Sequence, residues 1–172
     1  ITVTFYEDPS VANAGTDIQQ CDNGTFAMAA NTPTVGIGTW TQVNGPAVAI
    51  DDPNSSTTAV SGLPAGQSAT LEWTISNGSC PDSFDEIVIR NDVQATAEAG
   101  DSAQVCGQND HTVANAAATG HDAFTWTIIL GNGALVDDDT LSPTYQPDPA
   151  DIGTTVMLQL EATNAAGCDA SD

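Results

Sequence analysis

Ala12–Cys21, ANAGTDIQQC, comes back as Ala97–Cys106, AEAGDSAQVC, with alanine, alanine, glycine, glutamine and cysteine each displaced by 85 residues. Other landmarks follow at almost the same shift. GTWT around Trp40 is echoed by FTWT around Trp126, and TLEWTI before Cys80 by MLQLEA before Cys168. A fixed period of this size means tandem copies of one folding unit. The 172 residues therefore divide into two units of roughly 85 each, small for a domain but large enough to bury a core.

Between the landmarks lie short apolar runs broken by Asn31-Thr32-Pro33, Asn44-Gly45-Pro46, Asp51-Asp52-Pro53, Asn77-Gly78, Asn132-Gly133 and Asp137-Asp138-Asp139. No window of a dozen residues shows helical periodicity. Short strands about ten residues apart, separated by turn formers, predict an all-β sandwich in each repeat. Ile1–Glu7, ITVTFYE, alternates as a strand does and resembles Glu86–Asp92, EIVIRND, which closes the first repeat. The organisation expected is a closing strand of a preceding repeat over 1–8, one repeat over 9–93, and a second over 94–172 without its own closing strand. Two explanations stay open: a slice of a longer array, or strand donation between separate chains.

One basic residue, Arg90, stands against 23 acidic ones, a formal charge of −22. Nucleic acid and anionic membrane surfaces, which are bound by clustered lysine and arginine, are therefore poor partners. The absence of lysine also excludes Schiff-base chemistry and phosphate-binding loops of the lysine type. No run of residues is long and apolar enough to insert in a bilayer as a helix.

The four cysteines fall two per repeat, Cys21 and Cys80 in the first, Cys106 and Cys168 in the second. Neither pair has zinc-ligand spacing. The expectation is one intradomain disulfide in each repeat, each closing a loop of about 60 residues and contributing ~3–4 kcal/mol. Such pairing belongs to an oxidising, extracellular compartment; free thiols are the other reading. Trp40, Trp73 and Trp126 fall at strand positions expected in the core, the alternative being an exposed sugar-binding platform.

Acid-rich turns supply Glu7, Asp8, Asp17, Asp92 and Asp101 near the linkers. These oxygens could form calcium clips, or they could be a solvated coat. His111 and His121 have no counterpart in the first repeat, and no nucleophile or metalloprotease motif is present. An enzyme is not expected, and no cofactor is required.

ANAGTD followed by cysteine, GTWT, DPNSSTTAV, SGLPAGQSATLEWTISNGSCP and an IVI strand together resemble the Ig-like, PKD-like repeats of giant surface adhesins. Those proteins belong to gliding and marine Bacteroidota and leave the cell by the type IX system. TLSPTYQPDPADIGTTVMLQLEATN resembles a companion version of the repeat. The chain lacks the WDFGDG motif of true PKD domains. The resemblance implies tandem Ig-like sandwiches acting as stalk repeats of a cell-surface adhesin or filament, with neighbouring repeats as partners and surface polysaccharide as a further one. It also brings out Ser102 and Thr140, each in an Asp-Ser/Thr-aliphatic triplet like the O-glycosylation acceptors of that phylum. Alternatives of other classes are a carbohydrate-binding or spacer module, and a filament subunit assembled by strand donation.

Overall fold

The computed structural model describes residues 1–172. It is all-β apart from one 3-10 turn at Pro149–Asp151, and it divides into two units, Ile1–Val93 and Gln94–Asp172.

The first unit contains β1 (Ile18–Cys21), β2 (Thr25–Ala27), β3 (Ile37–Asn44), β4 (Ala49–Ile50), β5 (Ala59–Ser61), β6 (Gln67–Ser76) and β7 (Ser83–Asp92). One sheet runs β1-β7-β6-β3, with β1 parallel to β7 and the other pairs antiparallel; the second sheet runs β2-β5-β4. Strand β6 shows why the sheet has a dry face. Ala69, Leu71, Trp73 and Ile75 are buried and alternate with less buried Thr70, Glu72 and Thr74, the period of two that a half-buried strand requires. On β7, Ile87 and Ile89 continue that face, and Phe26 and Val60 of the other sheet join the same core cluster. Each such side chain contributes ~1.5–3 kcal/mol on burial.

Trp40 and Trp73 are register partners on β3 and β6, with ring centroids 5.2 Å apart and planes tilted by 44°. Both are essentially inaccessible to solvent. The ring of Trp73 lies over Gly38, where a Cβ would come within 2.0 Å of Cζ2. The glycine in GTWT is thus the space into which the next strand's indole fits.

The second unit contains β8 (Thr96–Glu98), β9 (His111–Thr112), β10 (Ala117–Thr119), β11 (Ala123–Leu130), β12 (Ala134–Val136), β13 (Thr144–Gln146), β14 (Met157–Thr163) and β15 (Ala170–Ser171). Its sheets are β11-β14-β15, β12-β13-β9 and the pair β10-β8. Trp126 and Leu160 are register partners, as Trp40 and Trp73 are in the first unit. The core here is thinner: Val113, Trp126 and Leu160 are buried, while Phe124, Leu135, Leu141 and Leu158 are only partly covered.

One expectation is corrected, the cysteine pairing. Cys80 and Cys106 are free thiols, so neither within-repeat bridge forms. The register explains the first repeat. Cys21 lies opposite Asp92 at the end of β7, whereas Cys80 precedes Ser83 at its start. Nine residues of strand at ~3.3 Å each separate those ends, far beyond the ~7 Å Cα limit for a disulfide. Residues 1–7 are part of no sheet and lie exposed.

Gly38→Ala is expected to cost ~1–3 kcal/mol in denaturant unfolding of the first repeat, the range for overpacking a filled core. A cost of only a few tenths would show that the Trp73 ring is not locked in place. A thiol reagent applied to the native chain should find two reactive cysteines, exposed Cys106 ahead of half-buried Cys80. Finding none would reinstate the within-repeat bridges.

Candidate functional site

The acids expected near the linkers have partners of their own. Asp17 Oδ1 accepts from the Val88 N–H at 2.9 Å, tying the start of β1 to β7. Asp92 is nearly buried at the end of β7 and pairs with Arg90, the chain's one Lys/Arg cation, at 2.9 Å. Asp101 Oδ2 accepts from Asn115 Nδ2 at 2.6 Å. Glu7 is engaged through its main-chain oxygen, which accepts from Asn77 Nδ2 at 2.7 Å and lies 3.5 Å from the Cys80 thiol. Asp8 is exposed. No three His, Cys, Asp or Glu side chains gather where they could hold a metal ion.

Ser102 and Thr140 are both exposed. The Thr140 hydroxyl donates to Asp137 O at 2.8 Å, and its main-chain oxygen accepts from Trp126 Nε1 at 3.0 Å. Trp40, Trp73 and Trp126 are all buried and offer no stacking platform. His121 stacks edge-on against Phe124, and His111 sits in β9.

A polar network that sequence reading passed over lies in the second repeat. Buried Asp151 accepts from Tyr145 Oη at 2.7 Å, from Asn132 N at 2.9 Å and Asn132 Nδ2 at 3.0 Å, and from Asp148 N at 2.9 Å. The Tyr145 oxygen in turn accepts from Gly133 N at 2.8 Å. The Tyr145 hydrogen bond, with help from those of Asn132 and Asp148, lowers the Asp151 pKa from 3.8 to about 2 against the opposing effect of burial. Burial raises the Tyr145 phenol, and the Asp151 contact adds to that. The signal was present in Asp148-Pro149-Ala150-Asp151, whose two acids form a capping box around the 3-10 turn.

An opening of about 740 Å³ in the second repeat lies along β14. Ser102–Val105 and Val156–Leu158 are among the residues that line it, with Trp126 also on its wall. The first repeat shows what this opening corresponds to. Ile18–Cys21, the counterpart of Ala103–Cys106, forms β1 and pairs with β7, which pairs on its other side with β6, the counterpart of β14. In the second repeat a short strand stands at the corresponding edge. Ala170–Ser171 pairs with Glu161–Ala162, and Leu160 and Asp172 exchange hydrogen bonds of 2.8 and 2.9 Å. Asp172 Oδ2 accepts from Ala99 N at 2.7 Å, as Asp85 Oδ2 accepts from Ala14 N at 2.8 Å. Asp172 therefore occupies the place of Asp85. Beside Met157–Gln159 no second partner strand is paired, and 101–110 is coil, turn and exposed. This is a slot with the outline of one β-strand.

No protein-family model matches the chain, and neither does any curated protein. Solved structures do. The PKD domain from KIAA 1837 protein is 19% identical with a TM-score of 0.42, covering 60% of this chain and 100% of that one. DIP-gamma IG1+IG2 is 14% identical with a TM-score of 0.44, covering 96% and 95%. The insect immune protein hemolin is 14% identical with a TM-score of 0.49; 99% of this chain is covered but only 47% of hemolin. The chain is similar to PKD and Ig-like domains in its all-β architecture.

Asp151, with its lowered pKa, contributes stability that is fully present above 3.8 and is lost as pH falls through about 2. Asp151→Asn should therefore destabilise the second repeat at neutral pH, with the gap to the wild type closing as pH approaches 2. A gap that stays constant down to that pH would mean that the carboxylate's charge plays no part.

Proposed function

We propose that this chain is a load-bearing stalk segment of a long extracellular adhesin or filament, displayed at the cell surface. The observation that carries the reading is the parallel pair β1–β7. Ile18 lies opposite Ile89 and Cys21 opposite Asp92. The chain enters this pair at Ile18 and leaves it at Asp92, which are opposite ends. Tension between the ends of the repeat then loads the ladder hydrogen bonds together in shear instead of opening them one at a time. Asp17 adds a bond to Val88 at the loaded end, and Asp22 N adds one to Asp92 O at 2.8 Å.

Other features support the same role. The repeats share a dry tryptophan core and bring together no catalytic constellation, and the acidic surface suits a fibre that must not collapse on itself. On this reading no ion is required, because Asp17 and Asp92 already hold protein groups. Glycans on Ser102 and Thr140 and contact with surface polysaccharide belong to the same proposal as additions to the stalk. The buried tryptophans weigh against a carbohydrate-binding module.

Single-molecule pulling on the chain should give two opening events of unequal force. The first repeat, with its β1–β7 clamp, should hold longer than the second, whose counterpart of β1 is unpaired as a strand. Asp17→Ala should lower only the stronger event, removing a bond of about 1 kcal/mol. Two events at equal force, both indifferent to Asp17→Ala, would remove the mechanical argument.

A further inference from the structure

We propose that Asn44–Gly45 is a self-modifying site, at which the folded chain deamidates Asn44 through a succinimide and water, with Gln42 assisting. This goes beyond the load-bearing role and is independent of it, because it concerns the chemistry of one turn and is read by mass, not by force.

An Asn-Gly step is reactive because glycine carries no side chain to hinder ring closure by its nitrogen. The chain has four such steps, at Asn23, Asn44, Asn77 and Asn132. The fold holds each differently. Asn23 Oδ1 accepts from the Thr25 N–H at 3.1 Å, one residue beyond its glycine. Asn77 Nδ2 is tied to Glu7 O at 2.7 Å. Asn132 donates to Asp151 Oδ1 through both N and Nδ2, and the Gly133 nitrogen is engaged with Tyr145 Oη. In these three the carboxamide is anchored away from the nitrogen that would attack it.

Asn44 is arranged the other way. The Gly45 N–H donates to Asn44 Oδ1 at 2.8 Å. That contact lays the nucleophilic nitrogen against the carbonyl whose carbon it must reach, which is what a near-attack arrangement requires. The turn depends on glycine, for Gly45 has φ +95° and a Cβ there would come within 2.5 Å of Ser68 O. Asn44 and Gly45 are both exposed at the irregular end of β3, so water reaches them.

Gln42 completes the arrangement. Its Nε2 donates to Asn44 O at 3.2 Å, to Gly45 O at 3.2 Å and to Pro46 O at 2.6 Å, while its Oε1 accepts from Val48 N at 3.1 Å. Asn44 O belongs to the same peptide group as the attacking nitrogen. A donor on that oxygen draws charge from the amide and stabilises its anion as the N–H proton leaves, in the manner of an oxyanion-hole donor.

The reaction consumes only water. Solvent takes the proton from the Gly45 nitrogen, the bond from that nitrogen to Asn44 Cγ forms, and the Cγ–Nδ2 bond breaks to release ammonia. Water then opens the succinimide at either carbonyl, leaving an aspartyl or an isoaspartyl residue. No lysine exists in the chain to intercept the ring. Each event adds one negative charge beside β3, and the isoaspartyl product also lengthens the backbone of a turn that packs on Ser68 and Ala69.

Peptide mapping by mass of the full chain, aged in neutral buffer while folded, tests the site. Asn44 should deamidate about tenfold ahead of Asn132, with isoaspartate among its products. Gln42→Met keeps an unbranched side chain but cannot donate. It should slow Asn44 about tenfold, the rate equivalent of one net hydrogen bond, and leave the other three steps unchanged. In denaturant all four steps should react alike in both chains, which separates positioning by the fold from reactivity of the dipeptide. Asn44 level with or behind the other steps in the folded chain overturns the proposal. A folded Gln42→Met chain, with its tryptophan signal intact, that loses Asn44 at the wild-type rate overturns the role given to Gln42. If that variant does not fold, the order of the four steps in the wild type, folded against unfolded, decides alone.

Discussion

A central strand has hydrogen-bonding groups along both edges, and burying them without partners costs more than most side-chain contacts return. In the first repeat that requirement is met by β7. It pairs with β6 over nearly its whole length and with β1 in parallel, and it turns Ile87 and Ile89 into the core. Remove β7 in thought and β1 loses the partner that makes it a strand, β6 becomes an edge, and the face formed by Leu71 and Trp73 opens to water. The second repeat displays that condition. Its residues 101–110 form no strand, Leu158 is only partly covered, and its core cluster of buried residues is reduced to Val113, Trp126 and Leu160. The two repeats are thus one design, seen with β7 paired along the sheet and with only Ala170–Asp172 paired at the corresponding edge.

The remaining core follows from choices made around that sheet. Gly38 leaves the volume that Trp73 fills, and Trp40 packs against that ring from the neighbouring strand. The second repeat keeps one tryptophan, replaces the other with Leu160, and adds a polar anchor in which Tyr145, Asn132 and Asp148 surround the Asp151 carboxylate. A thinner apolar core is offset there by a satisfied buried network, whose value depends on every member having its partner.

Much of this was legible before any coordinates. The ANAG and AEAG blocks locate the repeats because alanine and glycine there must fit tightly, and the turn formers mark strand ends because proline, glycine and asparagine have few other uses in a sandwich. The likeness of Ile1–Glu7 to Glu86–Asp92 carried the idea of a displaced closing strand. Cysteine pairing was not legible, because a separation of 59 residues says nothing about whether Cys21 and Cys80 lie at the same end of a strand; only the register of β1 on β7 does. The slot was equally hidden. Residues 102–105 belong to a repeat landmark and 156–158 to the start of a strand, and only the folded structure brings both to the same opening. The Asp151 network carried a local signal in its paired acids, Asp148 and Asp151.

The most direct measurement of the central claim is amide hydrogen exchange on the single chain, at a dilution where copies are separate. If the closing strand is what seals each sandwich, the amide of Leu71 on β6 should exchange only on global opening of its repeat. The equivalent amide of Leu158 on β14, which faces the slot, should exchange orders of magnitude faster. Equal protection at the two leucines would contradict the account, because it would mean that the second sandwich is sealed without the strand that the first one needs.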